Sequence, residues 1–120
     1  MTTPSKTVRR SIAILNLPQS KVPMLINFAQ QVLKSITGNP SFPTPTPTVA
    51  DLTQAITDLQ NAENAALART KGATATRNEK RTALIMKLEQ LKAYIQSVAD
   101  ANVDNSGSII QSAGLTVRKV

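Results

Sequence analysis

The chain has no cysteine, no histidine and no tryptophan. Without cysteine there is no disulfide, no thiolate metal site and no cysteine nucleophile. Without histidine the commonest general base and the commonest metal ligand are missing. A Ser-His-Asp hydrolase has nothing to be built from. Aromatic residues are nearly absent: Phe28, Phe42 and Tyr94 are the whole set. The core must therefore be packed by Ala, Leu, Ile and Val, and small side chains let helices approach closely, as in a bundle.

Long hydrophobic runs are lacking too. The apolar run from Ile12 to Leu17 is interrupted by Asn16. A signal peptide needs roughly 7–15 apolar residues, so none is read here. No run approaches the roughly 18 residues of a membrane span. The expected setting is the cytoplasm, or an assembled particle reached without a signal of the chain's own. With 120 residues the chain is one domain with a single modest core. Its net charge of +7 suits an acidic partner such as nucleic acid or an anionic surface. It suits equally a soluble basic protein that binds neither.

What is present is helical periodicity. Residues 21–37 carry Val22, Leu25, Ile26, Ala29, Val32, Leu33 and Ile36 at three- and four-residue spacing, one apolar face of a first helix. Ser20 can cap it, and Pro23 is tolerated in the first turn. Gly38 offers a left-handed stop before Asn39-Pro40. Residues 39–47, NPSFPTPTP, hold four prolines in nine positions. That composition forbids a regular helix and predicts a polyproline-like crossover, able to span about 25 Å, with Phe42 as an anchor into the core. It also has the character of a docking ligand for an aromatic groove, but its place between two helices favours the spacer.

A second helix is predicted over 49–70 and a third over 74–102. Thr48 with Asp51 forms a capping-box-like start, and Thr76 with Glu79 offers another. Leu52, Ala55, Ile56, Leu59, Ala62 and Ala66 form one stripe. Leu84, Leu88, Leu91, Ile95 and Val98 form the facing seam. Ile85, Tyr94 and Ala99 broaden it toward a second partner, the first helix. Gly72 ends the second helix, and the short loop makes the two helices antiparallel neighbours. A fourth helix is predicted over 105–113, capped by Asp104 and stopped by Gly114, with Ile109 and Ile110 plugging the bundle end. Residues 1–20 are either a basic tail or an edge strand around Ile12-Ala13-Ile14-Leu15. Residues 115–120 are an extended tail and the one candidate partner for such a strand.

Chemistry-bearing motifs are sparse. Asp51 and Asp58 share a helical face, but the di-iron pattern of helical bundles needs Glu-x-x-His pairs. They read as a solvated acidic face beside the basic third helix. No phosphate loop, dinucleotide fingerprint or calcium loop is seen. Arg69, Lys71, Arg77, Lys80 and Arg81 cluster around the hairpin turn, with Glu79 the one acid among them. Backbone N–H groups at the start of the third helix point to the same region, so the turn is the candidate contact for an anion or for nucleic-acid backbone. Lys6, Arg9 and Arg10 add a basic arm, and Arg118 and Lys119 a basic end. No aromatics interleave the cluster for base stacking.

The stretch from Gly38-Asn39-Pro40 through Phe42-Pro43 and the long hairpin to Ile109-Ile110-Gln111-Ser112-Ala113-Gly114-Leu115 resembles a helical module of uncharacterised small bacterial proteins. The resemblance covers roughly residues 20–118. In those proteins a fibronectin type III-like domain often follows, and it is absent from these 120 residues. The resemblance implies a structural or adhesive role and no catalytic residues.

The expected fold is an all-α antiparallel bundle of three to four helices with a proline-rich crossover, its termini either short extended segments or tails. The expected function is non-catalytic: a structural or interaction protein that forms a homo-oligomer or docks with other protein subunits into a larger particle. Ala-rich second seams on the helices and the extended ends are the surfaces expected to make those contacts. The alternative is a basic accessory protein contacting nucleic acid through the turn. No enzyme activity, cofactor, metal or small-molecule substrate is expected.

Overall fold

The computed structural model describes residues 11–14 and 21–119, with only the backbone of Ser11 and Lys119. The order of elements is β1 (Ser11–Ile14), α1 (Val22–Ile36), α2 (Val49–Leu67), α3 (Ala73–Ala101), α4 (Ser106–Ser112) and β2 (Thr116–Lys119). Four helices pack together, and a small two-stranded sheet joins the two ends of the chain. The basic arm of Lys6, Arg9 and Arg10 and the Ser20 cap lie outside the described residues.

α1 forms because its apolar positions fall on one side. Val22, Leu25, Ile26, Ala29, Val32 and Ile36 are all buried. Lys21 is its N-cap residue and makes no side-chain cap bond, while Pro23 sits in the first turn. At the other end Thr37 is extended and Gly38 has φ +70°. The Asn39 N–H donates to the Ile36 carbonyl at 3.2 Å, which closes a type II turn with glycine at its left-handed position.

The crossover is not a polyproline rod. It turns repeatedly between Gly38 and Thr48 and joins neighbouring ends of α1 and α2 instead of running along the bundle. Asn39 explains the folding-back. Its side-chain oxygen accepts from the Ser41 N–H at 2.9 Å, and its Nδ2 donates to the Ser35 carbonyl at 3.1 Å and to Ser112 Oγ at 3.2 Å. Phe42 is the anchor expected of it: it is buried, and its ring lies 6.0 Å from that of Tyr94. The second partner of the α3 seam at Tyr94 is thus Phe42 of the crossover.

α2 begins as its sequence dictates, with Thr48 Oγ1 accepting from the Asp51 N–H at 3.1 Å. Its end corrects the sequence reading. The helix stops at Leu67, and the left-handed residue is Arg69, at φ +61°, not Gly72. The Arg69 N–H donates to the Ala66 carbonyl and the Thr70 N–H to Ala65, the paired bonds of a Schellman ending. Gly72, at φ +77°, is the N-cap of α3. The capping box at Thr76 and Glu79 therefore does not form. Thr76 already lies inside the helix, its hydroxyl donating back to the Gly72 carbonyl at 3.3 Å.

α3 is the longest element, about 43 Å at 1.5 Å per residue. Its buried Leu84, Leu88, Leu91 and Ile95 meet Leu52, Ile56 and Leu59 of α2 in one continuous core. α4 follows a single 3-10 turn, Val103–Asn105, that contains Asp104. Asp104 is therefore not the cap; Asn105 holds that position without a side-chain bond. Ile110 is fully buried and Ile109 half-buried. Gly114, at φ +85°, ends α4 as expected, beside Val32 and Ser35 of α1.

Of the two readings of the termini, strand pairing is the one that forms. β1 and β2 are antiparallel, with Ala13 opposite Val117 and Ile12 opposite Arg118. Ala13 of β1 and Leu115, just before β2, are buried in the core. The Ala13 N–H donates to Gln96 Oε1 of α3 at 2.8 Å, tying the sheet to the bundle.

Candidate functional site

The basic turn was the sequence's candidate, and the fold disperses it. Arg69 and Lys71 are exposed on the connection between α2 and α3. Arg77 and Arg81 lie on one side of α3, in a cleft of about 330 Å³ shared with Glu63 and with Lys21, Val22, Pro23 and Met24 of α1. Lys80 lies on the other flank of the α2–α3 contact, in a groove of about 160 Å³ with Lys87 and with Asp51 and Asp58 of α2. The acidic face of α2 does lie against the basic third helix, as its spacing implied.

Arg77 is largely engaged in holding the fold. Its Nη1 lies 3.4 Å from Glu63 Oε1, and its Nε and Nη2 donate to Asn78 Oδ1 at 3.4 and 3.2 Å. Glu63 is 9% exposed, one of two buried polar residues in the described core. A buried carboxylate needs a paired charge, and Arg77 supplies it. Lys21 joins this cleft from α1, a participant that the hairpin alone gave no sign of.

The same end of the bundle exposes apolar surface. Leu67 is 70% and Met24 52% exposed. Between α1 and α2 a shallow groove of about 510 Å³ is lined by Pro23, Ile26, Asn27, Gln60, Asn61 and Leu67 among others. Glu63, the carboxylate paired with Arg77, is the one ionisable side chain among its lining residues; the others are amides and apolar groups. Since Pro23 and Asn27 from the start of α1 meet Gln60 and Leu67 from the end of α2, the two helices are antiparallel.

A further surface lies on the outside of α3. Ala83, Met86, Gln90, Ala93 and Ser97 are all exposed and follow one another at intervals of three, four, three and four residues. Met86, Gln90, Ala93 and Ser97 lie away from the buried Leu84, Leu88, Leu91 and Ile95, and Ala83 also borders the groove between α2 and α3. Two of the surface's five residues are alanines.

Among the described residues, no group of three or more acidic side chains is placed to hold a metal ion, and no helix is long and apolar enough to cross a membrane. No family model, no curated protein and no solved structure matches this chain.

Proposed function

We propose that this chain is a non-catalytic structural or interaction protein that associates with copies of itself or docks into a larger assembly. The observation that carries the reading is the outer seam of α3. Ala83, Met86, Gln90, Ala93 and Ser97 repeat with the spacing of a coiled-coil interface and carry no charge in a chain of net +7. The small side chains of Ala83, Ala93 and Ser97 let another helix approach closely. Met86, 59% exposed, is a flexible apolar group suited to such a contact.

The test is sedimentation of the intact chain and of Met86→Glu across a concentration series. The wild type is expected to grow in mass with concentration, and the variant to grow less at the same concentrations, with unchanged helical circular dichroism. A variant that associates like the wild type removes the seam from the interface.

The exposed Arg69 and Lys71 favour a second reading, a basic accessory protein touching nucleic-acid backbone at the turn between α2 and α3. Such contacts release counterions, so a mobility shift seen at low salt must fade steeply as salt rises. No shift at low salt eliminates this reading.

A further inference from the structure

The two-stranded sheet has two outer edges, and they are treated differently. In an antiparallel pair, opposed residues either exchange both backbone bonds or none. The Ala13 N–H points away from β2, to Gln96 Oε1. Ala13 and Val117 are therefore a non-hydrogen-bonded pair, and the Val117 N–H and carbonyl point outward from β2. Gln96 closes the β1 edge. Among the described residues, nothing bonds the outward N–H of Val117. Among the described residues, β2 packs chiefly against β1 and α4.

We infer that the outer edge of β2 pairs with β2 of a second copy of this chain, which rests on the proposed self-assembly and names a surface for it. A two-fold axis at Val117 lets each Val117 exchange two N–H···O=C bonds with its counterpart. The product is a four-stranded sheet in the order β1-β2-β2-β1. Two strands alone are at the lower limit of a stable sheet, and added strands extend its apolar face. Val117 is half-buried on that face, so pairing removes more of it from water.

Charge disfavours one alternative register. With Val117 opposite Val117, the exposed Thr116 faces Arg118 of the second copy, and this happens twice. Slipping the pairing by two residues toward the C-terminus would set Arg118 against Arg118, a like-charge pair that destabilises a sheet; slipping it the other way leaves fewer residues of each strand paired. The isologous arrangement is also the commonest symmetry of soluble oligomers.

Thr116 supplies the test, because its side chain is exposed and opposite Ile14 within its own chain. In sedimentation equilibrium on the full chain, Thr116→Glu should tighten association and Thr116→Lys weaken it. Their dissociation constants should differ by about tenfold, from two cross-strand charge pairs. Val117→Pro removes the outward N–H at a position where an edge strand tolerates proline, and should abolish the contact with the helices intact. If the wild type associates but the Thr116 variants both match it and only Met86→Glu dissociates it, the β2 edge is overturned and self-assembly stands. A monomer at every concentration overturns both.

Discussion

Arg69 is the residue at which the fold is most visibly strained. It holds φ +61° at the end of α2, where it completes a Schellman ending. A side chain in that conformation brings Cβ close to the following carbonyl, at a cost of roughly 1–2 kcal/mol. Glycine has no such penalty, but its greater freedom in the unfolded chain returns about 0.4–1 kcal/mol. Arg69→Gly should therefore stabilise the protein by roughly 0.5–1 kcal/mol. For 120 residues the unfolding entropy is about 0.25 kcal/mol/K, so the midpoint should rise by about 2–4 °C in a thermal melt. Removing a cation from a chain of net +7 also relieves repulsion. Arg69→Ala controls for that, since it loses the charge and keeps Cβ. The reasoning requires glycine to exceed alanine. If the two variants melt together, or glycine melts lower than the wild type, backbone strain at Arg69 is not a term in the stability.

The remaining stability predictions concern the core seam and the sheet anchor. Leu88 is 1% exposed in the middle of the α2–α3 interface, so Leu88→Ala should cost about 2–5 kcal/mol in chemical denaturation, the range for a buried leucine that leaves a cavity. A loss below about 1 kcal/mol would mean that the seam is not tightly packed there. Gln96→Ala removes the acceptor for the Ala13 N–H. It should cost about 1–3 kcal/mol, and hydrogen exchange should accelerate in β1 and β2 while α2 stays protected; unchanged exchange at Ala13 would refute that anchoring.

The helices were legible because their stripes leave little choice. Leu84, Leu88, Leu91 and Ile95 sit on one face at helical spacing, and that face is the buried one. Thr48 and Gly114 were legible because each satisfies a local backbone need that its chemistry suits. The end of α2 was not. Gly72 is the natural candidate for a left-handed position, and nothing in arginine announces that Arg69 takes one three residues earlier. Once α2 ends there, Gly72 is free to start α3, and Thr76 falls inside the helix. The crossover misled through composition. Prolines specify a lack of helix, but the path is set by Asn39 bonding Ser41, Ser35 and Ser112, two of them distant in sequence or on other elements. The strands were legible only as alternatives, since four residues pairing across the length of the chain draw on tertiary contacts that no local pattern encodes. The candidate site fared similarly. Arg77, Lys80 and Arg81 share one face of α3, but packing against α2 divides them between two clefts, Lys80 beside Asp51 and Asp58 and Arg77 against Glu63.

Self-association is the claim on which the functional account turns, and the mass of the intact chain in solution tests it most directly. Sedimentation equilibrium over a wide micromolar range should give a weight-average mass that climbs above the 12.8 kDa of one chain as concentration rises. A single 12.8 kDa species at every concentration would contradict it.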